Sequence, residues 1–316
     1  MGTQDTEHGF SRRDLFAGGV SLGTAAVLSN VGASPAVAAA IPSALPPLVP
    51  VPIPQQAAAK EGMADVNGAK LWYWDTGGNG APLVLLHPNS GSGVVWGYQQ
   101  PVFAKAGYRV IGYSRRNYYK SDPASKENPG IASEDLLGLL KSLGINKAHL
   151  VASAAGGSVA AAFAFSHPEN VQSLTVSSNT FGVREGEIHT VAQSIRPHIW
   201  EEIPVHVREL GPSYRAANPA GVEAWIELNK KNMTRTVLQK LLLDVTTAML
   251  GTLKVPTLVI GGDADLSTPA SLSRMLQQRI PNSELAIVYE SGHSIYWEQP
   301  EAFNKAVLDF ITKHHK

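Results

Sequence analysis

The sequence predicts a doubly wound α/β fold, a mostly parallel sheet covered by helices on both faces and carrying a helical insertion. Three observations point to it. Short continuous apolar runs at 83–87, 108–113, 148–152, 172–177, 256–260 and 285–289 alternate with helical segments, and unbroken apolar strands belong to sheets buried on both sides. The stretch KAHLVASAAGGSVAAAFAFSHP at 147–168 runs from an apolar strand through a small-residue corner into an alanine-rich helix that closes before His167-Pro168. Between Ser178 and Pro256 no buried-strand run occurs, yet helical periodicity marks 185–200, 219–231 and 236–250. Helices inserted there would lie over the carboxyl ends of the strands, where ligands bind in open α/β sheets.

In chain order, Ser11-Arg12-Arg13-Asp14-Leu15-Phe16 leads a weakly apolar Gly/Ala-rich run from Leu15 to Val31, with an A-x-A-like exit at Ala36–Ala40. Paired arginines, a modest apolar core and small residues at the exit make residues 1–40 a twin-arginine signal peptide. The expectations are passage through the twin-arginine export machinery and a periplasmic or secreted bacterial location. Gly, Ser and Asn interrupt the run too often for a membrane span, so no stable membrane insertion is expected after cleavage. The proline-rich stretch IPSALPPLVPVPIPQQ makes 41–60 an extended linker. Met63 to Trp74 alternates around Asn67-Gly68, a two-residue hairpin signal. The boundaries that follow are a core in two parts, 61–182 and 251–316, around a helical cap at 183–250.

Composition narrows the partners. With 316 residues, 44% of them apolar and 16% charged, the chain can bury a sizeable core. Lys plus Arg equals Asp plus Glu at 26 each, so no net field draws in nucleic acid or an anionic membrane, and a neutral or modestly polar small molecule is the expected ligand. Absence of cysteine excludes disulfides and thiolate chemistry. No spacing implies a metal or an organic cofactor.

Several segments together resemble the α/β-hydrolase superfamily, in its capped branch of esterases, lactonases, haloperoxidases, epoxide hydrolases and dehalogenases. LVLLHPNSG is similar to that family's strand and oxyanion loop, YRVIGYSRRNYYKSD to its D-x-R-G-x-G-x-S loop, VPTLVIGGDADLSTP to its acid strand, and ESGHSIYWEQPEAFN to the segment bearing its histidine. The resemblance covers nearly everything from Gly62 onward and implies an eight-stranded sheet.

It also implies roles. His293, between Gly292 and Ser294, matches the catalytic base, and Asp265, four residues before Pro269, matches the acid that orients it, with Asp263 as the competing choice. Set on the nucleophile-elbow pattern G-x-S-x-G, Ala152 and Gly156 take the glycine positions and Ala154 the nucleophile position. A methyl group has no lone pair, so no acyl-enzyme can form there. Ser153 is expected to face away, because neighbours at a strand end point to opposite faces; Ser90, Ser92 and Ser178 are expected as turn residues. The oxyanion hole would take the amides of Asn89 and Ala155, since Pro88 has no N–H to give; the Asn89 side chain could add a donor. Ser114 stands where the family has aspartate. Trp200, Trp225, Tyr296 and Trp297 are candidate pocket linings.

These residues support an enzyme in which the His293–Asp265 dyad activates water against an ester or lactone without a serine nucleophile. Three alternatives remain: a lyase, isomerase or cofactor-free oxygenase on the same dyad, a non-catalytic ligand-binding protein, and an ordinary serine hydrolase in which serine was exchanged for alanine to trap a substrate.

Overall fold

The computed structural model describes residues 48–231 and 237–314. Residues 1–40, where a signal peptide is expected, lie outside the described residues, as does the start of the proline-rich stretch.

Eight strands form one sheet: β1 (Lys60–Val66), β2 (Ala69–Asp75), β3 (Pro82–Leu86), β4 (Arg109–Tyr113), β5 (Ala148–Ser153), β6 (Val171–Ser177), β7 (Thr257–Gly262) and β8 (Ser283–Val288). Their order is β1-β2-β4-β3-β5-β6-β7-β8. Pairings β1–β2 and β2–β4 are antiparallel, and the rest are parallel. Asn67 and Gly68 take φ of 48° and 76°, the double positive φ that a type I′ turn demands.

Helices α1 (Gln100–Lys105), α2 (Ala132–Ser142) and α3 (Ala155–Ser166) follow β3, β4 and β5. Between β6 and β7 lie α4 (Gly186–Ser194), α5 (Val205–Glu209), α6 (Pro212–Ala217), α7 (Pro219–Lys230) and α8 (Thr247–Leu250). The chain closes with α9 (Ala270–Gln277), α10 (Ile295–Glu298) and α11 (Pro300–Lys313).

Two details of the insertion differ from the sequence expectation. The periodicity at 236–250 yields only the short α8; upstream of it Lys240 bridges Ile131, its N–H donating to Gly130 O at 3.0 Å while its own carbonyl accepts from Ala132 N at 2.9 Å. Main-chain pairing with the core outweighs local helical propensity there. The second is the pair α5 and α6, too short for periodicity to reveal and opened by Pro204 as N-cap and by Pro212 in the first turn. Residues 48–59 form no helix or strand, but they are tied down: Tyr98 Oη donates to Val51 O at 2.8 Å, and Gln100 exchanges two hydrogen bonds with the Ala57 backbone at 2.7 and 2.9 Å.

Helix α3 is apolar all round, with Val159 to Ala164 buried, as befits a helix enclosed on every side. It lies close against the sheet because Gly156 lets it. A Cβ on that residue would stand 2.3 Å from the carbonyl oxygen of Leu86. The packing thus fixes the N-terminus of α3 directly behind the end of β5.

Candidate functional site

The corner between β5 and α3 is strained. Ala154 sits at φ 47° and ψ −123°, a conformation that costs a non-glycine residue about 1–3 kcal/mol. It is pinned by its own N–H to Ser177 O at 2.9 Å and by Gly157 N–H to its carbonyl at 2.8 Å. This is the geometry of a nucleophile elbow, with a methyl group at its apex. Ser153 is wholly buried and does not line the cleft, whereas Ala154 and Ala155 do. As the first residue of α3, Ala155 has an N–H with no intrahelical acceptor.

His293 follows β8 and Asp265 follows β7, so the two come together because those strands are neighbours. Nδ1 of His293 lies 2.9 Å from Oδ2 and 3.0 Å from Oδ1 of Asp265. An ionised carboxylate only accepts, so Nδ1 carries the hydrogen and Nε2 the lone pair of the neutral ring. Nε2 has no hydrogen-bond partner among the described residues, and His293 lines the same cleft as Ala154, Ala155 and Asn89. Asp265 is itself held by the amides of Ser267 at 2.7 Å and Thr268 at 2.9 Å. Asp263, the competing choice, is exposed.

Burial alone would push the His293 imidazole down, but the charge of Asp265 and the hydrogen bond to it, helped by Glu209 and Glu298, outweigh that and raise it to about 9. Burial would likewise raise Asp265, but the nearby imidazolium, its hydrogen bond and the two loop amides hold this carboxyl below the ordinary value.

Asn89 also lines the cleft, and its side chain is oriented from behind. Its Oδ1 accepts from Tyr118 Oη at 2.6 Å and from Arg115 Nη2 at 3.2 Å. Arg115 is 8% exposed and makes no ion pair with any described residue; its guanidinium lies 4.9 Å from the Tyr118 ring centroid and donates to His87 O at 3.1 Å. The neighbouring Arg116 is paired, to Asp135 of α2 at 2.7 Å. Ser114, standing where aspartate was expected, instead accepts from Gly93 N at 3.2 Å.

The structure adds a residue that sequence reasoning missed. Glu209, at the end of α5, accepts the His293 amide on its backbone carbonyl at 2.8 Å, and its Oε2 accepts from Ser90 Oγ at 2.5 Å and Ser294 Oγ at 3.3 Å. Burial raises its carboxyl, against the opposing pull of His293 and the two hydroxyls. Nothing around Glu209 in the sequence signals this, because it reaches His293 only through the fold of the insertion.

Two adjoining clefts share Asn89, Ser267 and His293. One, about 340 Å³, runs past Trp200, Val205, Arg208 and Glu209. The other, about 430 Å³, lies over Ala154 and Ala155 beneath α4. Of the four aromatic candidates, Trp200 lines the first of these two clefts; the other three line neither. Trp225, Tyr296 and Trp297 are at most 3% exposed and belong to a core cluster with Trp96, Tyr98 and Phe310, so the apolar bulk that suggested a pocket wall is spent in packing. Among the described residues no group of three His, Cys, Asp or Glu could hold a metal ion, and no helix is long and apolar enough to cross a membrane.

Comparison with known proteins fits this architecture. Residues 81–203 match the alpha/beta hydrolase fold family, and residues 236–316 match a TAP-like family model. A protein named "Putative carbamate hydrolase RutD" from Caulobacter sp. (strain K31) is 30% identical over 248 residues, 73% of this chain and 90% of its own length. A 2-hydroxy-6-oxononadienedioate/2-hydroxy-6-oxononatrienedioate hydrolase from Burkholderia vietnamiensis is 29% identical over 77% of this chain and 91% of its own. An esterase from Thermogutta terrifontis superposes with a TM-score of 0.67 at 23% identity, covering 82% of this chain and all of that one. The eight-stranded order, the strained corner after β5 and a relative matched over nine-tenths of its length together make this chain a member of the α/β-hydrolase superfamily.

Proposed function

We propose that the protein is a hydrolase of small organic substrates of the ester or lactone class that works without a serine nucleophile. His293, oriented by Asp265, takes a proton from water, and the resulting hydroxide attacks the substrate carbonyl while the amides of Asn89 and Ala155 receive the developing oxyanion. Single-proton bookkeeping closes when imidazolium returns the proton to the leaving alkoxide. The observation that carries the proposal is the His293–Asp265 hydrogen bond of 2.9 Å with the ring lining the same cleft as the methyl of Ala154. Triads stripped of one member keep about 10³–10⁴-fold over water from oxyanion stabilisation and binding. The hydrolase names of the relatives support the reaction class.

The empty nucleophile position favours one further reading, in which the same base removes a proton from substrate carbon or hydroxyl, as a lyase, isomerase or cofactor-free oxygenase would. Turnover in oxygen-18 water separates them. Hydrolysis places the label in the product acid in wild type and fails in His293→Ala; unlabelled product formed by wild type would sink the hydrolytic reading. Export by the twin-arginine route rests on Arg12 and Arg13, and retention of an Arg12→Lys/Arg13→Lys variant in the cytoplasm is the expected result; unchanged export of that variant would refute it.

A further inference from the structure

We propose that the substrate carries a carboxylate, and that this group docks in the cleft over Ala154 against Arg196, with Arg184 and His189 beside it. The inference rests on the proposed function only in placing the reacting carbonyl next to His293.

Charge is the first ground. The chain as a whole balances 26 cationic against 26 anionic residues, yet the titratable groups among the described residues of this cleft are Arg184, His189, Arg196 and His293, with no Asp or Glu. A cleft of one sign with low-dielectric walls concentrates ligands of the other sign. The second ground is an unmet charge. Neither Arg196 nor Arg184 pairs with any described carboxylate, unlike Arg109, Arg116, Arg208 and Arg279, and an anion entering the cleft supplies the missing counter-charge.

Positioning is the third. The Arg196 guanidinium lies 5.3 Å from the centroid of the Trp200 ring, whose other guanidinium neighbour, Arg208 at 5.5 Å, is already paired with Glu201 at 3.3 Å. Stacking holds the Arg196 fork at a defined angle. A planar guanidinium edge suits the two oxygens of a carboxylate; a phosphate more often recruits a nest of backbone amides. This departs from the neutral ligand expected from net charge, because net charge averages over a surface and a cleft does not.

Binding tests the idea apart from turnover. Titration calorimetry on the His293→Ala protein would compare glutarate with glutaramide, its neutral diamide, and with methyl phosphate. Expected are measurable glutarate binding that weakens as salt rises, at least about tenfold weaker glutaramide binding, and about tenfold loss in Arg196→Ala with partial recovery in Arg196→Lys. Glutarate failing to bind, or binding no better than the diamide, would overturn the proposal, as would full binding by a folded Arg196→Ala protein. Stronger binding of methyl phosphate would overturn the carboxylate assignment. Tight glutarate binding in a protein whose wild type gives no oxygen-18 incorporation would leave the anion site standing and remove hydrolysis alone.

Discussion

The backbone carbonyl of Glu209 accepts the amide of His293 at 2.8 Å, and that of Ser294 at 3.0 Å, while the Glu209 carboxylate gathers the hydroxyls of Ser90 and Ser294. One residue of the insertion therefore ties the histidine loop to the loop after β3. The core alone brings His293 to Asp265; the insertion sets which way the loop carrying His293 leaves the sheet.

In the proposed mechanism the His293–Asp265 pair makes activity dependent on pH. The base must be neutral, and its raised value of about 9 means that kcat/KM climbs with pH and levels near that point. Asp265→Asn removes both the charge and the tautomer constraint, so the midpoint moves down and the plateau falls about 10²-fold. A pH–rate profile checks both. The linked stability has a definite sign: the imidazolium's contribution is complete below the ordinary 6.5 and is lost as pH rises through about 9.

Glu209→Gln keeps acceptors for the Ser90 and Ser294 hydroxyls but deletes a charge that helps hold His293 up. The pH–rate midpoint falls, by less than in Asp265→Asn, while thermal stability changes little. An unmoved midpoint would show that Glu209 acts on His293 only through its backbone.

Ala154→Ser places a hydroxyl at the strained corner that the proposed function reads as the nucleophile position. A serine-directed phosphonate labels this variant and leaves the parent unlabelled, as read by intact-protein mass. Labelling of the parent at Ser153 would contradict its full burial.

Glu298 holds three amides at once: Gly211 at 2.7 Å, Gly292 at 3.0 Å and Ser294 at 3.1 Å. Glu298→Ala strands those buried donors, each worth about 1–3 kcal/mol, so chemical denaturation registers a loss of about 3 kcal/mol or more. Glu298→Gln keeps one acceptor oxygen, enough for the Gly211 and Gly292 amides, and loses less.

Buried strands and the corner after β5 were legible because their causes are local. Continuous apolar runs, Asn67-Gly68 and the small residues around Ala154 each act over a few positions, and Asp265 and His293 were singled out by the segments that resemble the α/β-hydrolases. What the chain alone could not show is which side chains meet across the insertion. Trp200 faces a cleft and Trp225 does not, though both are tryptophans in the same segment, because burial of an aromatic depends on neighbours far along the chain. Glu209, Arg115 and Arg196 likewise acquire their meaning from distant partners, or from the want of them. By itself the sequence determined the architecture and the methyl at the corner after β5, both products of local pattern, and through its resemblance pointed to His293 and Asp265; the tertiary structure alone decided the charge and shape of the space around them, since a cleft is made by residues that only folding brings together.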